Sequence, residues 1–226
     1  MADQQSIEMM FRDRAEAARR LATALRSYQG KNPLVVAIPR GAVPMAKIIA
    51  DELDGELDIV MTRKLHAPGS PEFAIGAVDE TGWTYLADYA ERTGATREYI
   101  AREVAAERET MRRRRAQYTP AHGPVDPAGR IVIVVDDGLA TGATMIAALH
   151  SMRARDPQCL ICAVPVGSPE AVAKVRPYAD EVVCLETPAF FYAVGQFYRL
   201  FTQVDDDEVI ALLNASTAPR SEQYTA

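Results

Sequence analysis

Cysteine is scarce in this sequence: three of the 226 residues are cysteines, too few for a disulfide framework. Cys159 and Cys162 have the two-residue separation of many zinc pairs. They lie in the apolar run CLICAV, which is typical of a β-strand, and side chains three positions apart on a strand point to opposite faces. The sequence therefore predicts buried free thiols and no zinc site at this pair.

The chain also lacks any apolar run close to the roughly 20 residues of a membrane span, and it begins without the apolar block of a signal peptide. Its formal net charge is −6, with 31 acidic against 25 basic residues. An acidic chain has little general affinity for nucleic acid or anionic membranes. We therefore expect a cytoplasmic protein that acts on small molecules, without nucleic-acid or membrane partners.

The sequence contains neither internal repeats nor a long linker, and its length and 48% hydrophobic content suit a single globular domain. We assign residues 1–215 to that domain and residues 216–226 to a flexible tail. The core is expected over about residues 30–185, and an aromatic-rich segment over about residues 186–202 is expected to pack with the N-terminal helix.

Hydrophobic periodicity predicts the fold class. Apolar residues from Phe11 to Leu25 recur at helical spacing and predict an amphipathic helix over residues 7–28. Five short apolar runs predict strands over residues 34–38, 57–61, 131–135, 160–166 and 181–185. Such runs, separated mostly by helical segments, are typical of parallel strands buried on both faces. The predicted fold is α/β, with a mostly parallel central sheet flanked by helices.

The segments between these strands are less regular. Residues 62–72, TRKLHAPGSPE, predict a mobile loop, and short strands are predicted near residues 73–78 and 84–89. A long helix is predicted from Thr96 to Gln117, and another from about Asp205.

The long helix ends in four arginines, Arg112 to Arg115. They cannot form one stripe, because successive residues step by about 100° around a helix. We interpret them as exposed cations at a helix C-terminus, with phosphate contacts across a dimer as the alternative.

The stretch RIVIVVDDGLATGAT, residues 130–144, carries the strongest functional signal. Asp136 and Asp137 directly follow an apolar strand, and ligands of open α/β sheets bind at the carboxyl ends of strands. The small residues of ATGAT allow backbone NH groups and the hydroxyls of Thr141 and Thr144 to form an anion-binding nest at a helix N-terminus. A sugar phosphate fits both parts. A simple Asp-Gly turn with an aspartate cap is the alternative.

The residues VIVVDDGLATGAT resemble the phosphoribosyl pyrophosphate (PRPP) binding motif of type I phosphoribosyltransferases. The resemblance implies that Asp136 and Asp137 bind the ribose hydroxyls, directly or through Mg²⁺. It also implies that a Thr/Gly loop holds the 5-phosphate. The residues of that loop are Ala140, Thr141, Gly142, Ala143 and Thr144.

Three further segments are similar to that family, and two of them carry basic residues. AIPRGAVPMA, residues 37–46, resembles its pyrophosphate loop, with Arg40 and Gly41 as working residues. The resemblance implies a cis peptide bond between Pro39 and Arg40, and the alternative is an all-trans loop that switches only when PRPP binds. Arg63 and Lys64 resemble an Arg-Lys pair at the start of its mobile catalytic loop.

The third segment, the aromatic stretch after the last strand, resembles the family's hood, which covers the acceptor base. We expect one or more aromatic rings of this segment over the acceptor, with packing at the sheet edge or in a dimer as the alternative. The candidate rings are those of Phe190, Phe191, Tyr192 and Phe197.

The expected class of acceptor follows from differences within the family. Ala140 stands where transferases for 6-oxopurines have an aspartate, and the strand LICAVPVG lacks their lysine, so hypoxanthine and guanine are not expected. The motif is closer to that of adenine enzymes, which use a glutamate of the mobile loop. Glu72 and His66 are the candidate general bases, and the alternative is that both are exposed loop side chains.

The resemblance implies an Mg²⁺-dependent transferase that moves the 5-phosphoribosyl group of PRPP to a small nitrogenous acceptor. Asp136 and Asp137 are the expected metal ligands, while Arg40 and Lys64 would stabilise the departing pyrophosphate. We expect a homodimer. The alternatives are a PRPP- or nucleotide-sensing regulatory protein of the same fold, and an enzyme that uses the nest for a different phosphate.

Overall fold

A computed structural model describes residues 11–119 and 123–216, and its strands form two sheets. The strands are β1 (Leu34–Ala37), β2 (Glu56–Ile59), β3 (Thr62–Ala67), β4 (Ser70–Asp79), β5 (Thr84–Leu86), β6 (Ile131–Val135), β7 (Cys159–Val166) and β8 (Glu181–Glu186). The central sheet is parallel, in the order β2-β1-β6-β7-β8. The five predicted strands and the α/β class are confirmed.

The second sheet is antiparallel, in the order β3-β4-β5. The prediction of a mobile loop over residues 62–72 is wrong, because β3 and the start of β4 occupy most of that segment. Only residues 68 and 69, Pro and Gly, lie between these two strands. The hairpin is anchored because Leu65 is 1% exposed and Ile75 is fully buried in the main core.

Six α-helices are found in the described part of the chain, and none of them is both long and apolar enough to cross a membrane. They are α1 (Arg14–Ala24), α2 (Val43–Glu52), α3 (Arg97–Tyr118), α4 (Ala143–Arg153), α5 (Pro169–Val175) and α6 (Asp206–Ser216). The long helix and the last helix are confirmed. At the start of α3, the Thr96 hydroxyl accepts a hydrogen bond from the backbone NH of Tyr99.

Helix α1 is shorter than the predicted helix over residues 7–28. Asp13 is extended and its carboxylate accepts the Glu16 backbone NH at 2.8 Å, so this cap starts the helix at Arg14. Phe11 instead forms a parallel bridge with Tyr198. Residues 7–10 of the predicted helix lie outside the described residues, as do residues 217–226 of the predicted tail.

The central sheet is buried on both faces, as its sequence predicts. Ile133 faces the layer that contains α1 and α2, whereas Val134 faces the layer that contains α4 and α5. Cys159 packs against the first layer and Cys162 lies within the second. The two thiols are free and on opposite faces, so they cannot share a zinc ion.

The strand order places a crevice at one point of the sheet. From β1 the chain runs outward to β2, and it later returns to β6 on the other side of β1. The loops after β1 and β6 therefore diverge to opposite sides, which leaves space at the carboxyl ends of these two strands. The residues that follow each strand, from Ile38 and from Asp136, border that space.

The interpretation of the four arginines as exposed cations is wrong for Arg115. Its side chain is 13% exposed and bonds the Glu80 carboxylate at 2.6 Å and 3.0 Å. It also donates to the Ile59 carbonyl at 3.0 Å and lies 3.5 Å from Asp58. Burial raises the pKa of Asp58, and the charge of Arg115 opposes that rise. Arg112, by contrast, is 76% exposed and pairs only with Glu109 among the described residues.

We expect Arg115→Ala to lower the free energy of unfolding by about 3 kcal/mol, because it removes the cation that lies 3.5 Å from the buried Asp58 carboxylate. Arg112→Ala, from the same arginine run, should change it by no more than about 0.5 kcal/mol. Urea denaturation of both variants measures the difference. Equal losses in the two would show that the buried pair contributes nothing beyond a surface pair.

Candidate functional site

A cavity of about 330 Å³ lies at the carboxyl ends of β1 and β6. Four segments line it: the loop after β1, the second sheet, the loop after β6 and the aromatic-rich segment after β8. The lining residues are Ile38, Pro39 and Gly41, then Lys64 and Ala74, then residues 136–144, and finally Val194. The cavity therefore gathers residues of all four segments in which site residues are predicted, although its hood residue, Val194, is not one of the predicted ones.

The floor of the cavity ends in the N-terminus of α4. Gly142 has φ of +81° at the residue before the helix, and no side chain of the described residues caps that end. This left-handed conformation favours glycine. The Ser168 hydroxyl donates to the Ala140 carbonyl at 3.0 Å and holds the loop from behind. The uncapped backbone NH groups at this end are available to an anion.

The two acids lie beside this anion site and differ in their surroundings. The Asp136 carboxylate accepts the backbone NH of Asp137 at 2.9 Å. Burial raises the pKa of Asp136 well above its ordinary value, and the charge of Asp137 adds to the rise. The charges of Lys64 and Arg14 act on this pKa in the opposite direction. Ionisation of Asp136 therefore depends on cations at the cavity.

Arg14 is the cation on Asp137, and the sequence-based prediction missed it. Its Nε and Nη2 donate to Oδ2 of Asp137 at 3.1 Å and 2.8 Å, and both side chains are mostly buried. Its Nη1 donates to the Thr202 carbonyl at 2.6 Å, and its guanidinium lies 3.9 Å from the centroid of the Phe201 ring. The sequence offers no signal for this role, since α1 also carries Arg19 and Arg20.

The loop after β1 has the backbone form that the resemblance implies. The peptide bond between Pro39 and Arg40 is cis. Gly41 lies so close to the acids that a Cβ there would be 2.5 Å from Oδ2 of Asp137 and 3.0 Å from Nη2 of Arg14. A Cβ at position 41 would therefore force this ion pair to shift.

Arg40, expected at the pyrophosphate, does not line the cavity. Its Nη1 lies 3.7 Å from Oδ1 of Asp206, the first residue of α6, and the Tyr118 hydroxyl donates to the same oxygen. The guanidinium is therefore directed to the N-terminus of α6 in this conformation.

The hairpin brings Lys64 to the cavity and turns its neighbour away. Arg63 donates to Glu107 of α3 at 2.6 Å, since adjacent residues of a strand face opposite sides. The ladder is irregular at His66, whose Nδ1 lies 3.8 Å from Glu103, also on α3. Of the expected Arg-Lys pair, only Lys64 lines the site.

Neither candidate general base lies at the cavity. His66 is directed to α3, as described above, and Glu72 is an exposed residue near the start of β4 that does not line the cavity. In this conformation neither side chain can exchange a proton with a ligand in the cavity.

The aromatic-rich segment, here called the hood (residues 186–202), covers the cavity with an aliphatic residue. Val194 lines the cavity, and its methyl carbon would be 2.7 Å from a Cβ on Gly138. Phe190 and Tyr192 are 79% and 87% exposed and do not line it. Phe191 packs against the buried Phe197, with ring centroids 5.0 Å apart. None of the four expected rings lies over the cavity in this conformation.

Comparison with known proteins leads to the same family. The profile of the phosphoribosyl transferase domain matches residues 8–202. Two Mycobacterium tuberculosis proteins, each provisionally named a phosphoribosyl transferase, are 44% identical over 209 residues. That alignment covers 91% of this chain and 46% of each relative, so the chain spans about half the length of these curated relatives.

Solved structures show the same fold. The crystal structure of protein TT1426 from Thermus thermophilus superposes with a TM-score of 0.77 at 45% identity, over 92% of this chain and 99% of that one. A Neisseria gonorrhoeae protein solved with bound ppGpp superposes with a TM-score of 0.52 at 17% identity, over 91% of this chain and 94% of that one. At that identity the second match shows the fold alone.

We expect Gly41→Ala to displace the Asp137 carboxylate and separate it from Arg14, with a loss of unfolding free energy of about 1 to 3 kcal/mol, as for other overpacked sites. Gly123→Ala is the matched control, because a Cβ at Gly123 meets no atom of the described residues within 4 Å. Urea denaturation measures the cost, and a crystal structure of the variant shows the carboxylate. An intact Arg14–Asp137 ion pair in that crystal would contradict the steric argument.

Proposed function

Because the chain belongs to the phosphoribosyl transferase domain family, we propose that it is a transferase that moves the 5-phosphoribosyl group of PRPP to a nitrogenous acceptor. The observation that carries this proposal is the arrangement around one cavity: two acids, an uncapped helix N-terminus and a lysine. These three features match the hydroxyls, the 5-phosphate and the pyrophosphate of one ligand.

The 5-phosphate is placed at the N-terminus of α4. Backbone NH groups of residues 142–144 and the hydroxyls of Thr141 and Thr144 supply donors there, and the helix dipole favours a negative charge. The ribose hydroxyls then donate to the carboxylates of Asp136 and Asp137. This orientation directs C1 of the ribose toward the space between the loop after β1 and the hood.

Transfer breaks the bond between C1 and the pyrophosphate oxygen and forms a bond from C1 to an acceptor nitrogen, whose proton passes to the departing pyrophosphate or to water. Positive charge builds on the ribose ring while negative charge builds on the departing pyrophosphate. Lys64 lines the cavity and stabilises that negative charge. Arg40 joins it after leaving Asp206, a separation that costs little because both side chains are more than a third exposed.

The two carboxylates also fit Mg²⁺, which in phosphate sites takes one or two carboxylates together with substrate oxygens and water. Asp136 and Asp137 are adjacent, and both line the cavity. When bound, the ion would neutralise charge on the pyrophosphate. The chain's own residues bind and orient the ribose beside it.

The acceptor in this proposal is a nitrogenous base other than a 6-oxopurine. Ala140 at the cavity provides no carboxylate for the base, and β7 contains no lysine to read a ring carbonyl. Val194 is the hood residue at the cavity and would touch the acceptor first. Phe190 and Tyr192 are exposed and free of the core, so closure of the hood could bring them over the ring.

A PRPP- or nucleotide-sensing protein without catalysis is the second candidate. The position of Arg40 on Asp206, outside the cavity, favours it. Pyrophosphate release from PRPP, assayed against a panel of bases and small nitrogen nucleophiles, separates the two. Binding of PRPP without release for any acceptor would favour sensing, and release with one acceptor would establish the transferase.

We expect the double substitution Asp136→Asn and Asp137→Asn to weaken PRPP binding by at least about 100-fold, because it removes two charged acceptors of hydrogen bonds. Asp180→Asn is the matched control, since Asp180 also accepts a backbone NH and an arginine but directly precedes β8, at the amino end of the central sheet. Calorimetry with Mg²⁺ measures the affinities. Unchanged affinity in the double variant would exclude this placement of the ribose.

We expect Lys64→Ala to slow turnover by about 100-fold to 1000-fold while changing PRPP affinity by less than about 10-fold, because its charge acts mainly on the departing pyrophosphate. Lys47→Ala is the control, since Lys47 pairs with Asp51 on α2. Steady-state rates and calorimetry give both quantities. Equal losses of rate and affinity would indicate simple ligand binding by Lys64.

A further inference from the structure

The contacts of Arg14 point to a role at the ligand, and this inference rests on the proposed function. We propose that Arg14 is a positioning residue: it fixes the Asp137 carboxylate in the orientation that receives the ribose and ties it to the hood. Arg14 and Asp137 are only 12% and 17% exposed, so their ion pair is poorly screened by water.

The hydrogen bonds hold Asp137 from two sides. Arg14 donates twice to Oδ2, and the Tyr198 hydroxyl donates to the Asp137 backbone carbonyl at 2.7 Å. Among the described residues Oδ1 has no hydrogen-bond partner, although Asp137 lines the cavity. A two-bond contact from a planar guanidinium restricts rotation of the carboxylate, so Oδ1 is the oxygen presented to the ligand.

Arg14 also reduces the net negative charge of the site, because it pairs with Asp137. Two adjacent carboxylates beside a phosphate-binding helix end would repel an anionic ligand. Arg14 neutralises Asp137 without itself lining the cavity, and Lys64 contributes a second positive charge at the cavity. The acids can therefore accept hydrogen bonds from the ribose without excluding the phosphates.

The other contacts of Arg14 lead to the hood. Its Nη1 bonds the Thr202 carbonyl, and its guanidinium covers the Phe201 ring, which in turn packs on Tyr198 with centroids 5.0 Å apart. Arg14, which holds the Asp137 side chain, thus contacts the hood, and Tyr198, which holds the Asp137 carbonyl, is part of it. Movement of the hood over an acceptor would be transmitted to the carboxylate that holds the ribose.

Arg14→Met tests this role, with Arg20→Met as the matched control. Arg20 lies on the same helix, pairs with Glu186 at 3.0 Å where β8 passes into the hood, and lies 4.6 Å from the Phe11 ring centroid, but no contact is found from it to Asp137 or to a described residue that lines the cavity. We expect at least a roughly tenfold loss of PRPP affinity for Arg14→Met and less than about a twofold change for Arg20→Met. Arg14→Lys should recover only part of the loss, because an ammonium cannot bond Oδ2 twice while reaching Thr202.

A double-mutant cycle separates positioning from a general structural effect. If Arg14 acts through Asp137, Arg14→Met should cause less than about a twofold further loss of affinity in protein that already carries Asp137→Asn. The inference would be overturned if the loss of PRPP affinity in the double variant equalled the product of the losses in the two single variants. It would also be overturned if folded Arg14→Met bound PRPP with wild-type affinity. Urea denaturation checks that each variant is folded. If Arg14→Met does not fold, Arg14→Lys replaces it in the cycle. Wild-type protein that does not bind PRPP would instead overturn the proposed function itself, and this inference with it.

Discussion

The parallel pairing of β1 with β6 is the contact on which the site depends. It aligns Ala37 with Val135, so that the two chains leave the sheet at the same height and turn into loops on opposite sides. One loop carries the close approach at Gly41 and the other carries the acids and the start of α4. A shift of one residue in this register would place the acids on the other face of the sheet and separate them from Gly41.

The site balances its charges before any ligand arrives. Arg14 is paired with Asp137, Arg40 with Asp206 and Arg63 with Glu107. Lys64 lines the cavity and has no ion-pair partner among the described residues. An anionic ligand would therefore meet Lys64 first, and it would recruit Arg40 only by competing with Asp206. Three of these four cations are thus each neutralised by a carboxylate, which limits their mutual repulsion.

The sequence predicts the parts of this architecture that depend on local pattern. Continuous apolar runs predict the parallel strands, and the spacing of DDGLATGAT predicts acids beside a helix N-terminus, because both follow from the geometry of a strand that leads into a helix. The hairpin is different: Pro68 and Gly69 dominate its local signal and indicate a loop, while the pairing that forms β3 depends on another segment. Periodicity cannot reveal such pairing.

Roles set by distant partners could not be predicted from the chain. In sequence, Arg115 cannot be distinguished from its three arginine neighbours; its contacts with Asp58 and Glu80 exist only in the folded chain. In the same way, only the ion pair with Asp137 distinguishes Arg14 from Arg20. The hood shows the same limit: aromatic composition indicates a covering segment, yet Val194 is the residue that lines the cavity. Whether a ring covers a ligand depends on backbone direction, which composition does not encode.

The contacts between residues 11–14 and the hood, here called the seam, have a consequence for folding. The backbone NH of Phe11 bonds the Phe197 carbonyl, and Arg14 bonds the Thr202 carbonyl 188 positions further along. Contacts of such separation close very long loops, and their entropic cost delays them relative to local structure. During synthesis Arg14 leaves the ribosome long before Thr202 does, so the parallel sheet can assemble while the seam is still open. Asp137 would then gain its fixed orientation only after the hood has been synthesised and has docked on residues 11–14, late in folding.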